Sequence, residues 1–77
     1  EAVPLDCTYD TDADAAYLYL VSPIADGAVQ RTITVDTDHG MINLDLDGDG
    51  RLIGVEILGA DRHLPPALRQ AIAGGHR

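Results

Sequence analysis

The middle of the chain alternates apolar and polar residues with a period of two, the pattern of a half-buried strand. Ala16, Leu18 and Leu20 alternate with Tyr17 and Tyr19, which gives one aliphatic face and one tyrosine face. Ser22-Pro23 and Asp26-Gly27 then punctuate a loop. Val29, Arg31, Ile33 and Val35 alternate with Gln30, Thr32 and Thr34, and the threonines favour a pleated strand. After an Asp38-His39-Gly40 turn, Ile42, Leu44 and Leu46 alternate with Asn43, Asp45 and Asp47. A last strand over Leu52 to Leu58 sets Ile53, Val55 and Ile57 on one side. The texture changes after Gly59. Pro65-Pro66 can open a helix, because a proline at the first helical position loses no needed N–H. Leu64, Leu68, Ala71 and Ile72 follow at helical spacing, and Gly74 supplies a stop. The pattern predicts an α+β fold in one domain over 1–77. An antiparallel β-meander of about four to five strands occupies 8–58, a short helix 64–73 packs on one face, and 74–77 form a frayed tail.

Two turns set the register. A turn from Thr37 to Gly40 pairs Val35 with Ile42 and Ile33 with Leu44. The next segment, "DLDGDGRLIGVE" from Asp45 to Glu56, matches the calcium-loop pattern D-x-D/N-x-D/N-G-x5-E at every specified position. As a calcium loop it would use Asp45, Asp47 and Asp49 as ligands and Glu56 as the bidentate closer. That reading needs helices on both flanks, and both flanks alternate with period two. As a hairpin, Asp49-Gly50 becomes the centre of a type I′ turn. Leu46 then meets Ile53, Leu44 meets Val55 and Ile42 meets Ile57, aliphatic on aliphatic throughout. A slip of one residue would turn that face to water. In the hairpin, Glu56 lies about 13 Å along the strand from the partner of Asp47, at ~3.3 Å per residue. No single ion at ~2.4 Å from each carboxylate fits that distance. The hairpin is the preferred reading and the calcium loop the alternative.

Composition adds three constraints. There is no Trp and no Phe, so the core must be aliphatic and, in a chain of 77 residues, thin. Self-association is an expected remedy. The net charge is −8, with 13 acidic residues against five arginines and no lysine. Phosphate backbones would be repelled, so no nucleic-acid partner is expected. The acidic surface suits a basic protein partner as well as plain solvation. Finally, no apolar run approaches the ~20 residues of a membrane span, and Glu1 to Tyr9 lacks the basic start and apolar centre of a signal peptide. A cytoplasmic, membrane-free protein is the default expectation.

Side chains with chemical potential are few. Asp10, Asp12 and Asp14 form a second acidic run at a hairpin entry, where aspartates bond to nearby backbone N–H groups; Asp10 and Asp14 are the expected turn-formers. Cys7 is the sole cysteine and has no His or Arg near it in sequence, so it reads as a packing residue. His39 sits in a turn, and His63 and His76 have no metal-ligand spacing. Ser22 precedes a proline and lacks a neighbouring base. No catalytic constellation and no cofactor cradle results, so an enzyme is not expected. Tyr17 and Tyr19 share one strand face and are the candidate interaction residues; their alternative role is to cover the second face of the sheet.

The stretch "YDTDADAAYLYL", Tyr9 to Leu20, resembles the signature Y-D-x-x-A-D-A-x-Y-I/L-x-L/I of the small bacterial proteins called domain of unknown function 2283. In that family a V-x-V-D strand follows, then L-D-x-D-x-D-G-R-L-x-G-I/V-E-I/L-L. Here the corresponding residues are Val35-Asp36 and Leu44 to Leu58. The resemblance runs from Tyr9 to about Leu64. It implies that the calcium-loop lookalike is part of β-structure. Members often stand beside genes for small basic proteins thought to be toxin-like ribonucleases, which implies an antitoxin-like role by association. The chain departs from the family in its Pro23 to Gly27 loop and its proline-marked C-terminal segment. The reading that results is a small acidic protein-interaction module whose partner is itself, as a homo-oligomer such as a dimer, or a basic protein. A calcium-binding module is the alternative.

Overall fold

The structure, a computed structural model, describes residues 1–75, so the His76-Arg77 end of the expected tail lies outside the described residues. Five strands form: β1 (Asp6–Asp10), β2 (Ala15–Tyr19), β3 (Arg31–Thr37), β4 (Gly40–Leu46) and β5 (Leu52–Leu58). Two short helices follow, α1 (Ala60–His63) and α2 (Pro66–Gly75). All five strands make one antiparallel sheet in the order β1-β2-β5-β4-β3. The chain is therefore α+β, with a β3-β4-β5 meander whose last strand docks on the β1-β2 hairpin. Central β5 carries aliphatic rows across this junction, since Leu18 faces Val55 and Ala16 faces Ile57.

Most of the expected register is present. Val35 pairs with Ile42 and Ile33 with Leu44. Further in, Ile42 pairs with Ile57, Asn43 with Glu56, Leu44 with Val55 and Asp45 with Gly54. The tip of the β4-β5 hairpin differs. Leu46 faces Leu52 and not Ile53, with a register shift between Asp45 and Leu46. The Asp47 side chain causes this. Its Oδ1 accepts the N–H groups of Asp49 and Arg51, both at 2.9 Å. The Asp47 N–H donates to the Arg51 carbonyl at 2.9 Å, and the Gly50 N–H donates to the Asp47 carbonyl at 3.0 Å. Gly50, at φ 79°, takes the left-handed position such a turn requires. The loop thus closes on Asp47 and Arg51, one residue longer than a type I′ turn, and a bulge at Ile53 absorbs the odd residue.

The C-terminal segment differs from the expected single helix. Leu64 is extended, at φ −92° and ψ 144°, because the residue before a proline is pushed out of the helical region. Helical structure therefore divides into α1, just after Gly59, and α2, which opens on Pro66 and runs to Gly75, past the expected stop. With Leu64 outside the helix, the expected apolar stripe loses its phase. Ile72 packs on the sheet, whereas Leu68 is exposed.

The core is small and lies to one side. Tyr9, Ala16 and Ala60 are buried together, with Ile57, Leu64 and Ile72 packed against them. Among the described residues, Ile53 is the one large aliphatic side chain that is buried outside that cluster. Helix α2 packs against β1, and α1 against β5. A ten-residue helix is about 15 Å long, whereas five strands at about 4.8 Å spacing span roughly 19 Å. The helices cover the β1-β2-β5 side and leave the rest of the aliphatic face open.

Candidate functional site

The two faces of the sheet have opposite chemistry, and cross-strand pairing sorts the residues between them. One face carries Tyr17, Tyr19, Thr32, Thr34, Asn43, Asp45, Gly54 and Glu56, as the pairings and the alternation require. Two hydrogen-bonded rows run across it. In the first, the Thr34 hydroxyl donates to Asn43 Oδ1 at 2.6 Å, and Asn43 Nδ2 donates to Glu56 Oε1 at 2.9 Å. In the second, Asp45 accepts from both sides: Thr32 Oγ1 donates to its Oδ1 at 2.7 Å, and the Tyr17 hydroxyl donates to its Oδ2 at 2.6 Å.

Tyr17 reaches Asp45 by lying across Gly54. A side chain at Gly54 would overlap the tyrosine ring, so the glycine is what lets the ring lie flat on β5. Tyr19 tilts against Tyr17, with ring centroids 4.7 Å apart and planes at 54°. Both tyrosines are half-buried. Desolvation, followed by the hydrogen bond to Asp45, pushes the Tyr17 phenol well above its ordinary value of 10.

The four calcium-loop carboxylates are engaged in different places. Asp45 is held by Thr32 and Tyr17, and Glu56 by Asn43. Asp47 is folded into its own turn, and Asp49 is exposed at the tip. The flanks of the loop are strands β4 and β5, not helices. Among the described residues, no three His, Cys, Asp or Glu side chains gather around a common point.

The second acidic run works differently from the first. Asp10 Oδ1 accepts the N–H groups of Asp12 at 3.0 Å and Ala13 at 3.2 Å, a local turn bond. Asp14 reaches much further. It sits at φ 51°, and its carbonyl accepts the N–H groups of Gly59 and Ala60, both at 3.0 Å. Its Oδ1 accepts the Asp61 N–H and the Tyr9 hydroxyl, both at 2.9 Å. Asp14 thereby caps α1 from across the fold, a role that sequence spacing alone does not reveal. The Tyr9 phenol is raised by this hydrogen bond to Asp14, with desolvation second. Beside the turn lies an open depression of about 590 Å³, lined among others by Thr8, Asp10, Ala15, Tyr17, Glu56 and Leu58. Asp10 and Glu56, its two carboxylates, already accept hydrogen bonds within the chain.

The other face is aliphatic. Leu18, Val55, Leu44 and Ile33 form one row across β2, β5, β4 and β3. Ile57, Ile42 and Val35 form the next. Every one of these seven is half-buried or exposed; Ile33 is 36% and Val35 43% exposed. Cys7, which faces Leu18 at the β1 end, is half-buried, and desolvation raises its thiol. No described side chain of large volume is fully buried anywhere in the molecule.

Comparison with known proteins adds a family and little more. The family described as "Protein of unknown function (DUF2283)" matches residues 7–60. The uncharacterized protein YuzE of Bacillus subtilis (strain 168) is 34% identical over 61 residues, which cover 74% of this chain. The aligned stretch spans only 43% of that relative. No solved structure matches. Among the described residues, no helix is long and apolar enough to cross a membrane.

Proposed function

Starting from the fact that the chain belongs to the family of proteins of unknown function DUF2283, we propose that it is a non-enzymatic protein-interaction module. One observation carries this reading. Tyr17, Thr32, Thr34, Asn43, Asp45 and Glu56 are tied to one another across one face of the sheet, while the aliphatic face is left half open. A catalytic carboxylate or tyrosine needs a free atom aimed at a reactant. Here both oxygens of Asp45 accept hydrogen bonds, and the Tyr17 hydroxyl is spent on one of them. An open apolar surface, in contrast, is binding material.

The more specific form of the proposal is antitoxin-like: an acidic chain that masks a small basic protein of the ribonuclease-toxin kind. The net charge of −8 supports it, because such a field attracts and orients a basic partner. Exposed carboxylates at Asp12, Asp36, Asp38 and Asp49 provide contact points away from the aliphatic face. The test is co-expression with the product of the adjacent gene, followed by calorimetric titration of the two purified proteins. The expected result is a stoichiometric complex whose affinity falls steeply with added salt. A chain that stays monomeric at high concentration and co-purifies with nothing overturns the reading.

A further inference from the structure

We infer that the aliphatic face of β3, β4 and β5 is covered by the same face of a second copy, so that two sheets stack into a dimeric sandwich. This deepens the protein-interaction reading above and rests on it.

A compact monomer of 8.2 kDa exposes about 4,500 Å². This chain exposes 5371 Å², roughly 870 Å² more, on the order of the area one partner contributes to a standard interface. The exposed arm over 1–5 and the exposed loop over 21–30 contribute to that excess, and so do Ile33 and Val35 on the aliphatic face.

Charge selects the occupant. Asp36, Asp45 and Glu56, the acidic residues within β3, β4 and β5, all point to the polar face. The aliphatic face therefore carries no strand carboxylate, and its one charged strand residue is Arg31, at the end of the edge strand. A basic partner would find no counter-charge there. A second copy would find a matching apolar surface, with most of each copy's negative charge held away from the contact. Sheets that stack face to face sit about 10 Å apart and interleave the side chains of their inner faces. Val55, Leu44, Ile42, Ile33 and Val35 supply such a layer from each copy. A two-fold contact of this kind closes on itself and leaves the acidic faces outward for another partner.

Sedimentation equilibrium of the full chain, from micromolar to millimolar concentration, tests the proposal. The expected mass is twice 8.2 kDa. Val35→Lys lies on the exposed edge strand, where a charged residue leaves the monomer intact, and should weaken the dimer about 100-fold. Leu44→Lys lies on an inner strand, so it distinguishes stacking from edge-to-edge pairing, and should weaken the dimer at least as much. Leu68→Lys, on the outside of α2, should leave it unchanged. Far-UV circular dichroism checks that each variant keeps its sheet. A monomer at millimolar concentration, or a dimer that survives both Val35→Lys and Leu44→Lys, overturns the proposal. A monomer that still binds the adjacent gene product removes the dimer alone. A monomer that binds nothing removes the protein-interaction reading as well.

Discussion

Tyr17 shows how much of this fold depends on single contacts. Its ring lies over Gly54 and its hydroxyl donates to Asp45 two strands away, so one side chain staples β2 to β4 across β5. A hydrogen bond to a charged acceptor contributes about 1.5–3 kcal/mol when the site is shielded. This one is only partly shielded, and Tyr17→Phe is expected to cost about 1 kcal/mol in urea unfolding at pH 8. The same bond predicts an alkaline weakness. The folded chain holds the Tyr17 proton above its ordinary value of 10, whereas the unfolded chain releases it near that value. The stabilisation is complete below pH 10 and is lost as pH rises from there through the raised folded value. Urea midpoints at pH 8 and pH 11 should therefore fall further for the wild type than for Tyr17→Phe; equal falls would count against the staple. Asp14 is the second residue of this kind. It combines a left-handed backbone with acceptors for three backbone N–H groups and the Tyr9 hydroxyl. Asp14→Ala loses the side-chain cap and strains the backbone, for about 2–3 kcal/mol. Asp14→Asn, which tolerates the backbone and keeps an acceptor oxygen, should recover about half of that loss in the same measurement.

At the scale of elements, the β4-β5 hairpin shows what a sequence pattern can and cannot say. The aliphatic pairing of Ile42 with Ile57 and Leu44 with Val55 was legible, because period-two patterning and burial on one face leave no other register. The tip was not legible. "DGDG" satisfies a two-residue turn on paper, but Asp47 accepting two backbone N–H groups favours the longer loop, and the bulge at Ile53 restores the register. Asp47→Ala should therefore lower stability by about 1 kcal/mol without changing the fold. Because Asp45, Asp47 and Glu56 are already engaged, millimolar calcium should leave the thermal midpoint unchanged. A rise in the wild type that is absent in Asp49→Ala would restore the calcium alternative. The helical segment teaches a similar lesson. Apolar spacing from Leu64 to Ile72 suggested one stripe, but the residue before Pro65 cannot stay helical, and the break rotates Leu68 out to solvent.

At the scale of the whole molecule, the open aliphatic face governs behaviour. The small core of Tyr9, Ala16 and Ala60 and the short helices bury one side of the sheet and leave the side at β3 and β4 half covered. A protein in that condition gains stability by mass action when its face is occupied. The thermal midpoint of the wild type should rise with protein concentration over two orders of magnitude, and that of Val35→Lys should not. Calorimetry at a series of concentrations checks this. In a stacked dimer the carboxylates of Asp36, Asp45 and Glu56 would face outward, on the surface open to a basic partner.

Alternation along the chain was enough to place β2, β3, β4 and β5, their inward faces, and the pairing of β3 with β4 and of β4 with β5 up to Asp45 and Gly54, but not β1 or the β4-β5 tip. The placed faces and pairings depend on alternation and on neighbours close along the chain, and both are written residue by residue. The same holds for the family, carried by Tyr9 to Leu20 and Leu44 to Leu58. The folded chain alone shows that β2 docks on β5 and not on β3, since each of those strands offers β2 an aliphatic face of the same kind. It alone placed Asp14 on α1 and Tyr17 over Gly54, contacts between residues far apart in sequence with no periodicity to announce them. It alone showed the aliphatic face half bare, because coverage depends on how far a short helix reaches across a sheet, and no local pattern records that distance.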